Sequence, residues 1–168
     1  MHTVNTSDVV GKLLLSLKLE GQPAAFYAAL ENVLHETTGF IFVTLFLIHE
    51  GQTLRVFTTN ETHYPVGARK PMASTPWGDL VIRQKKSFIA TDRHAIRAAY
   101  FDHATIESLG CGSAISVPIV YSGNCLGALN LNHREGHYDE KHVSMVEALA
   151  PLLVPILLDT LRQLDAHG

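Results

Sequence analysis

The stretch from Gly112 to Asn132 reads GSAISVPIVYSGNCLGALNLN. Two apolar segments rich in β-branched residues, Gly112–Tyr121 and Cys125–Asn132, flank Ser122-Gly123-Asn124. That is the composition of two antiparallel strands joined by a tight hairpin turn. Alternation along the second strand puts Leu129 and Leu131 on one face and Ala128, Asn130 and Asn132 on the other. A buried amide in mid-strand needs hydrogen-bond partners, which makes Asn130 the informative residue of its face. Ser113 and Ser116 fall on opposite faces of the first strand, so simple alternation lets only one of them line a given surface.

Upstream, Phe40–Ile48 is apolar on both faces, the pattern of a central strand buried from two sides. His49–Gln52 is a turn, Thr53–Thr59 an alternating strand, Val66–Lys70 a short third strand and Ser87–Ala90 a fourth brief one. Thr75 and Pro76 have the chemistry of an N-cap and first helical position, followed by Trp77, Leu80, Val81 and Ile82 on the helix. Thr91–Gly110 is the least regular segment, with a helix expected near its end. Two helices are expected before the strands: Asp8–Leu19, with Ser7 as its cap, and one opened by Pro23 and ended by Gly39. After the hairpin, Asp139 caps a last helix, and Tyr138 and Val143 occupy the positions of a hydrophobic staple. Leu149–Leu158 is apolar around most of its circumference, which calls for cover on more than one side. Pro151 and Pro155 lie inside that stretch and predict a bend or break.

The chain has 168 residues, 13 Lys and Arg against 16 Asp and Glu, and 46% hydrophobic residues. That length suits one domain, expected here over residues 1–168: an N-terminal helix in 1–21, a core in 22–162 and a tail in 163–168. A chain this long buries roughly 70% of its unfolded surface and needs no metal or disulfide to fold. The near-neutral charge argues against nucleic acid as a partner, because phosphate binding needs clustered Lys and Arg. The start lacks the basic end and apolar core of a signal peptide. Uninterrupted apolar runs reach only about ten residues, against the roughly 20 needed to span a bilayer. Two cysteines, Cys111 and Cys125, make no disulfide framework. No membrane association and a cytoplasmic location are the resulting expectations.

The order helix, helix, three strands, helix, strand, irregular segment, hairpin, helix resembles a GAF domain over about residues 22–162. Ser87-Phe88-Ile89-Ala90-Thr91-Asp92 is similar to the family's short strand ending in aspartate. Ala99-Tyr100-Phe101 and Ile106–Gly110 resemble its pocket segment. Ala114–Ile119 resembles its "VPI" strand, Leu126–Leu131 its "IGVLNL" strand, and Tyr138-Asp139-Glu140 the start of its last helix. The resemblance implies an α+β fold: a six-stranded antiparallel sheet, terminal helices on one face, and a ligand pocket under a helix–loop cover on the other. It does not settle function, because the family binds many classes of small molecule.

Several specialised chemistries of that family do not match these residues. The cyclic-nucleotide signature has Asn130 and Tyr138 near two of its places, but Asn132 and His133 occupy the stretch where its lysine belongs. Bilin attachment calls for a cysteine followed by histidine, whereas Gly112 follows Cys111 and Leu126 follows Cys125. The free methionine sulfoxide reductases need a nucleophilic cysteine where this chain has Glu107. The ten histidines read as scattered surface residues, with His137 and His142 five apart and His94 and His103 nine apart, so no metal site is expected. Ser113, His103 and Asp92 make a triad only on paper, without a Gly-x-Ser-x-Gly turn to present the serine.

The resemblance places the pocket between the sheet and the segment from about Trp77 to Gly110. The candidate ligand-binding residues are Trp77, Arg97, Tyr100, Phe101, His103, Cys111, Ser116 and Asn130. Tyr100, Phe101 and His103 offer an aromatic wall and a polar handle. Trp77, at a helix start, and Arg97 suit an anionic group. Cys111 reads either as a small apolar residue entering a buried strand or as a reactive thiol activated by His94, His103 or Arg97. The expected function is a small-molecule-binding sensory domain, not an enzyme, with no cofactor beyond an unknown small anionic or aromatic ligand. With no output region expected beyond Gly168, the output is expected to pass through a partner protein or a homodimer formed by the terminal helices. The alternatives are an enzyme of the sulfoxide reductase type and an interaction domain whose pocket is filled by its own side chains.

Overall fold

The computed structural model describes residues 4–72 and 74–167. Six strands form one antiparallel sheet: β1 (Phe42–His49), β2 (Gln52–Thr58), β3 (Arg69–Pro71), β4 (Phe88–Ala90), β5 (Ser113–Tyr121) and β6 (Asn124–His133). Their spatial order is β3-β2-β1-β6-β5-β4, which puts β1 and β6 at the centre. The expected hairpin is present, with Tyr121 paired to Asn124. Ser122 and Gly123 both have positive φ, the backbone that matches the twist of the flanking strands. Glu50 and Gly51 repeat this geometry between β1 and β2.

One face of the sheet carries α1 (Thr6–Ser16), α2 (Ala24–Thr37), α6 (Glu140–Leu149) and α7 (Val154–His167). Leu13, Phe26, Leu30, Val146 and Leu157 from these helices pack with Val43, Leu45, Ile115, Val117, Leu129 and Leu131 in one buried core. Leu129 and Leu131 thus face the helices, as strand alternation predicts. The other face is covered by α3 (Pro76–Gly78), which widens into a π-helical turn over Asp79–Arg83, and by α4 (Arg93–Ala99) and α5 (His103–Ser108). A smaller core of Phe42, Tyr64, Ile96, Ile106, Cys111 and Ala114 holds α4 and α5 down.

Local differences from the sequence expectations have physical causes. Helix α1 starts earlier because Asn5, and not Ser7, is the cap: its side chain accepts the Ser7 N–H at 3.0 Å. The segment after β4 is more regular than its composition suggests, because the Asp92 side chain accepts the Ala95 N–H at 2.8 Å and opens α4. Strand β3 starts later because the chain first turns at Gly67, whose N–H donates to the Arg55 carbonyl at 2.9 Å. Between α6 and α7 the helix tightens to a 3₁₀ turn over Ala150–Leu153. Each proline then sits in the first turn of a new segment, Pro151 in the 3₁₀ turn and Pro155 in α7, where a missing N–H is best tolerated. The span Glu140–His167 is long and apolar enough by length and composition to cross a membrane. Within it, Val143, Val146, Leu149, Leu153, Ile156 and Leu157 are packed in the core.

Three histidines seal the junction of α2, β6 and α6. The rings of His133 and His137 stack at 3.6 Å, and those of His137 and His142 at 5.3 Å. Hydrogen bonds fix each ring. His133 Nδ1 accepts the Arg134 N–H at 2.8 Å, and His142 Nδ1 accepts the Asp139 N–H at 3.1 Å. His137 Nε2 pairs with the Thr38 carbonyl at 2.8 Å, and the Tyr138 hydroxyl donates to the Gly39 carbonyl at 2.8 Å. His142 completes a capping box, since the Asp139 side chain accepts its N–H in return.

Candidate functional site

Between the sheet and its cover lies a cavity of about 260 Å³. Its floor is the face of β1 and β6 that looks away from the helices, with Phe42, Thr44 and Phe46 from β1 and Asn130 and Asn132 from β6. One wall is Trp77, Gly78 and Ile82; the other is Ala99 to Asp102 with Ile106. The mouth is edged by β2 and β3 through Thr53, Arg55, Lys70, Pro71 and Met72.

The polar centre of the floor is one rung across three strands. Asn130 is the register partner of both Thr44 and Ser116. The Ser116 hydroxyl donates to Asn130 Oδ1, and Asn130 Nδ2 donates to Thr44 Oγ1 at a long 3.5 Å. The amide is therefore oriented by Ser116 and Thr44, and its NH₂ keeps one further hydrogen to donate. Two further cavity residues carry buried polar atoms without a well-formed hydrogen bond among the described residues, Asn132 Oδ1 and Trp77 Nε1, the latter facing the Tyr100 hydroxyl. A buried unpaired donor or acceptor costs about 1–3 kcal/mol, so such atoms mark a site where another group is accommodated.

Aromatic rings surround this centre. Phe46 meets Trp77 edge-on at 5.7 Å, Trp77 lies 6.3 Å from Tyr100, and Phe88 supports Tyr100 from behind at 5.9 Å. Phe42 stacks on Tyr64 at 4.8 Å. At the mouth the Arg55 guanidinium lies over the Tyr64 ring at 5.2 Å, and the Tyr64 hydroxyl donates to Asp102 Oδ2 at 2.8 Å. Burial, and next the hydrogen bond to Asp102, push the Tyr64 hydroxyl well above the usual phenol range. Lys70 Nζ lies 4.6 Å over the ring of Phe101, which is 80% exposed.

Of the residues singled out from the sequence, Trp77, Tyr100, Phe101 and Asn130 line the cavity. Ser116 stands beside Asn130 and orients it without lining the cavity. Arg97, His103 and Cys111 lie outside it. Arg97 is held in a two-point ion pair with Glu107, at 2.7 and 3.2 Å, on the outer side of the cover. His103 is the first residue of α5. Cys111 is fully buried in the small core, where burial pushes its thiol up to about 11, and no cation lowers it. Of the two readings of Cys111, the structure favours the buried residue over the activated thiol, because a buried neutral thiol is a poor nucleophile. Ellman's reagent is expected to leave Cys111 unreacted in the native protein at neutral pH and to modify it on denaturation.

Sequence reasoning passed over Phe42, Thr44, Phe46, Arg55, Tyr64, Lys70 and Asp102. A signal existed for the β1 set, because Phe42, Thr44 and Phe46 share one parity and Thr44 is the polar residue of that face. None existed for Tyr64 and Asp102, which are 38 residues apart. Among the described residues no cluster of three or more His, Cys, Asp or Glu has the placement to hold a metal ion.

A family model described as GAF domain matches residues 24–157. No curated protein matches the chain by sequence. Among solved structures, the GAF domain of a phosphoenolpyruvate-protein phosphotransferase from Coxiella burnetii is 18% identical with a TM-score of 0.75, covering 96% of this chain and 97% of that one. The fRMsr of Staphylococcus aureus in complex with substrate is 14% identical, with a TM-score of 0.69 and coverage of 94% and 98%. The phycocyanobilin-bound GAF domain of a cyanobacterial phytochrome is 15% identical, with a TM-score of 0.70 and coverage of 99% and 100%. At these identities the likeness is one of fold.

Proposed function

Because the chain belongs to the GAF domain family, we propose that it is a regulatory domain that binds a small molecule in the cavity between β1–β6 and the α3–α5 cover. The observation that carries this reading is the character of the cavity: an aromatic surround, an Asn130 amide held in place by Ser116, and a buried Asn132 oxygen with no partner among the described residues. Ligand sites combine a mostly apolar lining with a few oriented polar groups in this way. The volume of about 260 Å³ is just below the roughly 300–1,000 Å³ of drug-sized sites and suits a compact metabolite. Such a space also weighs against an interaction domain whose pocket is filled by its own side chains.

The thiols do not favour reductase chemistry. Cys111 is buried with a raised pKa, and burial also raises that of Cys125, whose Sγ contacts the Gly127 carbonyl at 3.3 Å. Output is proposed to pass through the terminal helices in a homodimer or to a partner protein. Leu14, Leu15 and Leu19 support this; they are 48%, 61% and 57% exposed in and just after α1. Native mass spectrometry of the freshly purified protein, before and after denaturation, tests the reading. A small molecule released in stoichiometric amount, with the folded mass at twice the chain mass, is the expected result. Monomer alone at micromolar concentration contradicts the dimer surface.

A further inference from the structure

We infer that the cavity selects a ligand bearing one anionic group, read by Arg55 and Lys70, and that this group takes over from Asp102 as the anion of the cavity mouth. This inference rests on the reading of the cavity as a ligand site and adds the charge of what enters it.

The charged side chains of the lining are Arg55, Lys70 and Asp102, a balance of two positive to one negative. Neither cation makes an ion pair within 4 Å among the described residues, in contrast to Arg97, Arg83 and Arg162, which all do. Arg55 is partly buried, and that burial pulls its pKa down, so its charge is held at a cost that a bound anion relieves. One nitrogen donates to the Pro65 carbonyl at 3.1 Å, and the Tyr64 ring lies under the guanidinium. The rest of the fork is left to other acceptors. Glu61, which also acts on Arg55, is already engaged by the Val66 N–H at 3.2 Å.

Asp102 is the anion that the chain itself supplies at the mouth. Its charge acts on Arg55, but its carboxylate is held by the Tyr64 hydroxyl instead of by the guanidinium. Phe101 and Asp102 are adjacent on the link between α4 and α5, and each is tied to the β2–β3 side, Phe101 by Lys70 and Asp102 by Tyr64. A ligand anion at Arg55 and Lys70 therefore competes for the same charges that hold the cover to the sheet edge. The apolar part of the ligand would lie over Phe46, Trp77 and Tyr100.

Trp77 is the one tryptophan of the chain, so its fluorescence reports the cavity directly. Phenylacetate and its neutral isostere phenylacetamide are the probes. The expected result is that phenylacetate binds at least tenfold more tightly, that R55Q abolishes this preference, and that D102N strengthens phenylacetate binding severalfold. The exposed K70Q weakens it without threatening the fold, which guards against misfolding of R55Q. Equal binding of acid and amide overturns the charge assignment while leaving the cavity a ligand site. No response to either probe at millimolar concentration also overturns it, and the ligand-site reading then rests on the mass spectrum alone. Weaker phenylacetate binding in D102N overturns the exchange.

Discussion

Replacing Gly127 by alanine is expected to lower the unfolding free energy by about 3 kcal/mol, and by more for valine. Gly127 lies in β6 at the centre of the sheet, paired to Leu47 of β1 and Ile119 of β5. A Cβ added there would overlap the Phe46 carbonyl oxygen and come within 3.2 Å of the Leu47 Cα. Both obstacles are backbone, so no rotamer change relieves them. The strands must part instead, at the point where Phe46 also supports Trp77 in the cavity. The loss is read as a fall in denaturation midpoint at constant slope. Gly11→Ala is the control: it sits within α1 with nothing within 4 Å of its added Cβ, and helix propensity predicts a gain of up to about 1 kcal/mol. A loss below about 0.5 kcal/mol for Gly127→Ala would contradict the close approach of β1 and β6.

Lowering the pH from 7 to 4 is expected to destabilise the protein through the histidine column. Burial, and next the charges of His137, Arg134 and His142, push His133 down to about 4 from its ordinary 6.5. Burial likewise lowers His142, partly opposed by Asp139. A histidine whose folded pKa is lowered binds more protons when unfolded. Its contribution is complete above 6.5 and is lost as the pH falls towards the folded value. For His133, partly exposed and screened by solvent, the loss amounts to about 2 kcal/mol. Geometry gives the same sign, since a proton on Nδ1 of His133 or His142 removes the acceptor for a backbone N–H. The carboxylates of Glu107 and Asp139 are held below their ordinary values, so their own contributions fade at the acid end of this range or below it. Denaturation midpoints between pH 7 and 4, with the His133 ring proton followed by NMR, provide the check. His133→Phe keeps a ring in the stack and should flatten much of the pH dependence. An unchanged slope in that variant would contradict the assignment to His133.

The fold was legible in the sequence because its signals are local. The Ser122-Gly123 turn, the alternation of Leu129 and Leu131 against Asn130, and the Asp139 cap each depend on a few neighbouring residues. The break at Pro151 was visible too, but not the 3₁₀ turn over Ala150–Leu153 that separates α6 from α7. The site was only half legible. Trp77, Tyr100, Phe101 and Asn130 lie on segments whose place in the fold the strand pattern fixes. Arg97 misled because an exposed cation looks the same in sequence whether it faces a cavity or pairs with a carboxylate ten residues on. Arg55 sat unnoticed in an ordinary alternating strand. Its partners at the mouth, Tyr64 and Asp102, come from two loops that only the tertiary fold brings together. Cys111 followed the common rule for a free cysteine, which is to be buried.

The central claim is that the face of the sheet under α3–α5 is a ligand site. The most direct measurement is an ¹H–¹⁵N correlation spectrum of the protein titrated with a set of small aromatic and carboxylate fragments. The prediction is that fragments shift the Trp77 indole N–H and the Asn130 side-chain amide together, along with the backbone signals of Thr44, Phe46 and Tyr100. If fragments leave these signals in place, or bind only elsewhere on the surface, the cavity is not a ligand site and the proposed function is wrong.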